Sequence, residues 1–356
     1  MTAQYRKPEF SRSQVDRAGR ILAGIEPETK AMSREQARVV VEGWRASHAY
    51  PLLALRMLLD NRVRAADRGG LVAQRLKRLA SVEAKLQRFP TMRLARMQDL
   101  GGCRAILPDI AAVDALADLH RGGRQGHRLV GSCDYIARPK RSGYRGIHFV
   151  YGYGSRGARK AAWNGLRIEV QIRSRLQHAW AAAVETVDAI TGTELKIAGA
   201  RNGDWDRFFA LMGSVMAIEE GCPTVPGTPV ELAELRDEVG ELTVRLRVFE
   251  TLRDIGHAIR RASEVFADAD WYLIVLDADR RSTLVQAYRR GDFPEALAAY
   301  AEAESDAEGR PGLQACLVSA SSAAALRQAY PNYSLDASAF LDSLALLLGK
   351  RPGSAS

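Results

Sequence analysis

The stretch LRIEVQIR, residues 166–173, decides the fold. Its strict alternation puts Ile168, Val170 and Ile172 on one face and Glu169, Gln171 and Arg173 on the other, the period of a strand with one buried side. The polar face is either solvent-exposed or the floor of a site that uses Glu169 as a carboxylate. Upstream, RMQDLGGCRAIL (96–107) predicts a second strand at CRAIL (103–107). Gly101 and Gly102 there allow close backbone approach, with Asp99 just before them. Between these two lie further β-type runs, CDYIAR (133–138) and GIHFVYGY (146–153).

Helical spacing surrounds this strand-rich centre. Residues 34–66 read as helix with a boundary at Pro51, and a second helix is expected at about 71–88, after Gly69-Gly70. RLQHAWAAAVETVDAI (175–190) and DWDRFFALMGSVMAIEE (204–220) are two more. GCPTVPGTP (221–229), with three prolines and two glycines, is the best linker in the chain. Beyond it a long charged helix is expected over about 230–262. Strand-like WYLIVLD, STLVQAY and ACLVSA then alternate with helices near 293–305, 321–329 and 336–348. The order predicts an α+β fold: a mixed sheet flanked by helices in residues 1–225, followed by a smaller α/β C-terminal domain in 226–356.

A length of 356 residues suits two domains, and 47% hydrophobic residues exclude a disordered or fibrous chain. The net charge of +9 is unevenly spread: residues 1–225 hold 37 basic and 22 acidic side chains, residues 226–356 hold 14 and 20. A basic body favours an anionic partner such as phosphate or nucleic acid. Its acidic tail could dock over the basic cleft and restrain it, or be ordinary solvated surface. The N-terminal residues lack the apolar run of a secretory signal, and no stretch approaches the ~18–20 apolar residues of a membrane span. Four scattered cysteines, without a C-x-x-C pair, argue against a zinc site or a disulfide scaffold. A cytoplasmic setting is therefore expected. The six histidines form no H-x-x-x-H and no His-Asp doublet.

Two further segments complete a possible site. In QRLKRLASVEAKLQR (74–88), helical phasing sets Leu76, Leu79, Val82 and Leu86 against Arg75, Arg78, Ser81 and Lys85, with Lys77 beside them. That is a solvated amphipathic helix or a cationic bank for a polyphosphate. DYIARPKRSGYRGIH (134–148) is a loop made basic by Lys140, Arg141, Arg145 and His148, with Tyr144 able to stack on a base. Gly152, Gly154 and Gly157 spell a dinucleotide fingerprint, but they join two strands without a following helix and read as a hairpin connection. Two carboxylates on neighbouring strands beside a basic helix are the minimum kit for metal-assisted nucleotidyl or pyrophosphoryl transfer.

Taken in order, RLKRLASVEAK (75–85), DLGGCR (99–104), DYIARPKRSGYRGIH (134–148) and EVQIR (169–173), extended by HAWAAAVE (178–185), resemble the synthetase domain of the RelA/SpoT alarmone family over roughly residues 40–215. The resemblance implies a nucleotidyltransferase-like sheet that moves the β,γ-pyrophosphate of ATP onto the 3′-hydroxyl of GDP or GTP. It implies that Arg75 and Arg104 clasp the adenine, and that Lys77, Arg78, Ser81 and Lys85 hold the ATP phosphates. Asp99 and Glu169 would bind Mg2+, with Glu169 also drawing the proton from the acceptor. Tyr144 would stack on the acceptor base, with Lys140 and His148 near its phosphates. Ser142 stands where the family often has Asn, and the block from Gly146 departs from the commonest Ser-Leu-His, so acceptor preference is open. The alternative is a toxic relative that pyrophosphorylates the tRNA 3′ end, restrained by its tail; a catalytically dead interaction module is disfavoured by the presence of both carboxylates. The hydrolase domain of the long members is missing, and the tail does not match their regulatory domains. Homo-oligomerisation and the ligand or protein partner of the tail are left open.

Overall fold

The computed structural model describes residues 5–66, 69–122, 126–190, 203–249, 271–277, 282–307, 313–319 and 338–351, with Leu252, Arg280 and Arg310 besides. Three helices come first: α1 (Arg12–Leu22), α2 (Arg34–Ser47) and α3 (Ala49–Ala66). α1, absent from the expectations above, and α2 both open with a capping box. The Ser11 and Ser33 hydroxyls accept from the backbone three residues on, while Gln14 and Gln36 reach back to the cap N–H. The break expected at Pro51 falls at His48; Pro51 sits in the first turn of α3, where a helix tolerates its missing N–H.

Residues 71–88 are not one helix. They form strand β1 (Leu71–Leu76) and helix α4 (Leu79–Arg88). β1 is held on both sides, by β2 (Gly101–Leu107) and by a strand near the C-terminus, so pairing overrides the helical phasing of its leucines. After β2 comes α5 (Ile110–Gly122), which the expectations also lack, and then β3 (Arg128–Asp134). The strand expected to run to residue 138 stops at Asp134, whose Oδ1 accepts from the N–H groups of Ile136 and Ala137 at 3.0 and 2.9 Å. An aspartate that takes its own downstream donors turns the chain out of the ladder.

β4 (Ile147–Gly152) and β5 (Arg167–Ser174) pair antiparallel, so the glycines between them do form a hairpin connection. α6 (Arg175–Ile190) and α7 (Gly203–Glu219) follow as expected, and α8 (Leu232–Arg245) occupies the first part of the long charged helix. Then come β6 (Trp271–Asp277), β7 (Ser282–Tyr288), α9 (Phe293–Asp306), β8 (Leu313–Ser319) and α10 (Ser338–Leu347). The charged helix expected over about 230–262 stops at Arg245, where Leu246 caps it and Arg247 turns the chain at φ 48°; residues 253–262 and the helix near 321–329 lie outside the described residues.

The strands stand in the order β3-β4-β5-β2-β1-β8-β6-β7. The first five make a mixed sheet, parallel at β2/β5 and otherwise antiparallel. The last three make a small antiparallel sheet, joined to the first by the two register pairs Gln74↔Ser319 and Arg75↔Val318. One apolar core lies under the sheet, from Leu52, Leu55 and Leu59 of α3 to Phe149, Tyr151 and Ile168. A second joins Trp180 of α6 and Phe208 and Phe209 of α7 to Leu235 of α8 and Phe340 and Leu344 of α10. The chain is thus α+β, helices flanking a mixed sheet, with helices and a small sheet in its C-terminal part. Among the described residues no helix is long and apolar enough to cross a membrane.

Candidate active site

Strand register builds the site. Arg75, Gly102 and Glu169 are cross-strand partners on β1, β2 and β5; the next row is Ala73, Arg104, Gln171 and, on β4, His148. Residues two apart share a face, so both rows lie on the same side of the sheet. A pocket opens there, lined by Arg75, Lys77, Asp99, Gly102, Cys103, Arg104, Glu169 and Gln171. The two glycines that open β2 have different jobs. A Cβ at Gly101 would stand 2.8 Å from Ile168 Cδ1, whereas one at Gly102 would meet nothing within 4 Å and would project into the open floor.

Asp99 lies where three elements meet. Lys77, just past β1, and Lys85, on α4, approach its two oxygens at 3.0 and 2.9 Å. Burial alone would raise the Asp99 pKa, but the two ammonium groups outweigh it and hold the carboxyl below its ordinary value. The cationic bank and the first carboxylate are therefore one ion cluster. Lys77 itself is shifted downward by burial, against the pull of Asp99.

Glu169 sits at the head of a hydrogen-bond circuit. His148 Nδ1 is 2.8 Å from its Oε1, and Gln171 Nε2 donates to its Oε2 at 2.7 Å. The Tyr144 hydroxyl meets His148 Nε2. Arg173 Nη2 closes the ring, donating to the Tyr144 oxygen at 2.8 Å and to Gln171 Oε1 at 3.0 Å. One assignment satisfies every link: Arg173 donates to Tyr144 and Gln171, Tyr144 to His148, and His148 and Gln171 to Glu169. Burial pushes the Glu169 pKa up; His148 and Gln171 more than offset it and leave it lowered.

The remaining expected residues fall around this centre. Arg78 is the N-cap of α4 and Ser81 lies in its first turn. Lys140 Nζ is 4.1 Å from the Tyr135 ring centroid and 5.1 Å from that of Tyr144. The Tyr144 ring also carries the Arg173 guanidinium at 4.9 Å. Arg145 is a correction: it does not make the loop basic, because it is buried and ion-paired to Glu220 at 2.7 Å. It pins the 135–146 loop to the end of α7.

Asp99 and Glu169 supply two anionic oxygen donors to one pocket, and no cluster of three metal-ligating side chains occurs among the described residues. That donor set fits a hard cation such as magnesium, which takes one or two carboxylates and completes its shell with substrate oxygens and water.

Residues 74–187 match the family model described as the region found in RelA/SpoT proteins. Residues 74–187 are thus a RelA/SpoT region within the chain. All the candidate residues lie inside that region. Among solved structures, the small alarmone synthetase 1 of Bacillus subtilis bound to its product pppGpp is 21% identical, over 58% of this chain and 100% of its own, with a TM-score of 0.43. The small alarmone synthetase 2 of the same organism is 17% identical over 51% of this chain and 94% of its own, TM-score 0.43. A GTP pyrophosphokinase family protein of Streptococcus pneumoniae is 19% identical over 55% and 93%, TM-score 0.38. No curated protein matches the chain.

The RelA/SpoT region also holds a group that the sequence reading did not assign. Burial raises the Glu185 pKa, but Arg75, Arg104, Arg173 and Arg78 together bring it below its ordinary value. A single carboxylate on α6 thus balances the arginines of the site. Its position at the end of the HAWAAAVE block was the available signal.

Proposed function

We propose that this chain is an ATP-dependent pyrophosphokinase that makes guanosine tetra- or pentaphosphate. The acceptor 3′-oxygen of GDP or GTP bonds to the β-phosphorus of ATP, the bond from that phosphorus to the α-phosphate bridging oxygen breaks, and AMP leaves. The observation that carries this reading is the pair Asp99 and Glu169, brought into one pocket with Arg75, Lys77 and Arg104.

Glu169 is the group that accepts the acceptor hydroxyl's proton, and its circuit through His148 and Gln171 fixes its orientation. Its lowered pKa keeps it ionised at neutral pH. Asp99 and Glu169 would hold Mg2+, which neutralises charge developing on the phosphates. Lys77 and Lys85 exchange Asp99 for phosphate oxygens when ATP enters, which frees Asp99 for the cation. Arg75 and Arg104 take the adenine, Arg78 and Ser81 further phosphate oxygens. Tyr144, Lys140 and His148 form the acceptor side. A loose phosphoryl transition state needs positioning and charge neutralisation, and the fixed cations and carboxylates supply both. Residues 1–225 constitute the synthetase part and 226–356 an accessory part.

The test is incubation of pure full-length protein with γ-labelled ATP and GDP, GTP or tRNA. Label on GDP or GTP is expected. Label on tRNA alone would replace the acceptor class with an RNA end, and label on none would remove the enzymatic reading.

A further inference from the structure

The segment that leaves β1 and enters α4 carries Lys77 and Arg78, and its main chain is gripped by a residue from far along the sequence. The Leu79 N–H donates to Glu304 Oε1 at 2.7 Å, although the two residues are 225 positions apart. Leu79 is the first residue of α4, whose N-cap, Arg78, makes no side-chain cap hydrogen bond. The exposed N–H groups at a helix start want an acceptor and favour negative charge, a role normally filled by a serine or aspartate next door. Here α9 fills it.

Glu304 is itself built in. Arg45 Nη1 lies 2.6 Å from its other oxygen, and both side chains are almost wholly buried. Tyr300, one turn earlier on α9, donates to Glu304 Oε1 at 2.8 Å and accepts from Arg45 at 3.1 Å. Arg45 also approaches the carbonyl oxygen of Lys77 at 3.4 Å. The carbonyl before Arg78 and the N–H after it are thus both engaged by one buried ion pair. Lys77 lines the pocket, whereas Glu304 is not among its lining residues.

We infer that Glu304 is a positioning residue for the ATP half of the site, so that the C-terminal part completes the phosphate-binding segment from behind rather than covering the cleft. The inference rests on the proposed pyrophosphokinase reading. It gives the acidic tail a sign opposite to restraint: its docking supports activity.

The test uses full-length protein and calorimetric titration with α,β-methylene ATP and, separately, GDP. Glu304→Ala should raise the ATP-analogue Kd by about tenfold and leave the GDP Kd in place, since an orphaned buried N–H frees the Arg78 backbone. Glu304→Gln, which keeps an oxygen for Leu79, should recover part of the loss. Should Glu304→Ala fail to fold, the double variant Arg45→Met/Glu304→Leu removes the buried pair without leaving a lone charge and is expected to keep the melting temperature, while the ATP analogue still weakens. Wild-type binding of both nucleotides, with the variants unchanged or weakened equally toward the two, overturns the inference and leaves the proposed function standing. No ATP-analogue binding by wild type overturns both.

Discussion

Glu169 receives hydrogen bonds on both oxygens, and each donor is in turn held by Tyr144 or Arg173. The Tyr144 hydroxyl is the link whose loss leaves the ring in place. Tyr144→Phe removes both hydrogen bonds of that hydroxyl, the one it gives His148 and the one it takes from Arg173; a loss of about 1.5 kcal/mol in positioning Glu169 corresponds to about tenfold in rate. The expected outcome is a kcat lower by about that factor with little change in the acceptor KM, measured by steady-state kinetics. An unchanged kcat would show that the circuit does not orient Glu169. Asp99→Asn should be more severe, because it removes a carboxylate proposed to hold Mg2+ and leaves Lys77 and Lys85 facing each other without their counter-charge. A fall of at least about 100-fold in kcat/KM is expected, within the range seen when a single charge-stabilising group is removed.

At the scale of elements, the loop that presents Tyr144 depends on two glycines meeting. Gly143 has φ 91°, and a Cβ there would stand 2.5 Å from the Phe209 carbonyl oxygen; a Cβ on Gly213 of α7 would stand 2.8 Å from the Gly143 Cα. Gly143→Ala should destabilise by about 2 kcal/mol or more, read as a lower denaturant midpoint, with acceptor binding weakened more than ATP binding. Most of these elements were legible in the sequence. LRIEVQIR alternates so strictly that β5 and its polar face could be read directly, and with it Glu169. Helix α4 and strand β1 were merged because Leu76, Leu79, Val82 and Leu86 keep helical phase across the junction. What makes 71–76 a strand is pairing to β2 and to residues near 318, a contact with no local signature. Glu304 was invisible for the same reason. Arg145 was misassigned because charge alone does not distinguish an exposed arginine from one paired to Glu220 in the interior.

For the molecule as a whole, two buried neutral histidines set an acid limit to stability. Burial pushes the pKa of His48 down to about 4 and that of His120 to about 3, from an ordinary 6.5. Above pH 6.5 both states are neutral at these sites. As the pH falls below 6.5 the unfolded chain takes up protons that the folded chain refuses, so stability decreases toward pH 4, by up to about 1.4 kcal/mol per pH unit for each histidine. The melting temperature should therefore fall steadily between pH 6.5 and 4, and His120→Gln should flatten that slope; a flat profile in wild type would contradict the assignment. The whole body is tied together, with helices on both sides of residues 221–229 sharing one core and strands of both parts in one sheet, so the site and the C-terminal part are expected to melt in one transition.

In the proposed reaction the pocket of Asp99 and Glu169 transfers pyrophosphate, as a unit, from ATP to a guanine nucleotide. The most direct measurement is the product balance of one reaction with ATP and GDP, quantified by ion-exchange chromatography. One AMP is expected for every GDP that gains two phosphates, with both products lost in Glu169→Gln. ADP in place of AMP, or AMP formed without a pyrophosphorylated guanine nucleotide, would contradict it.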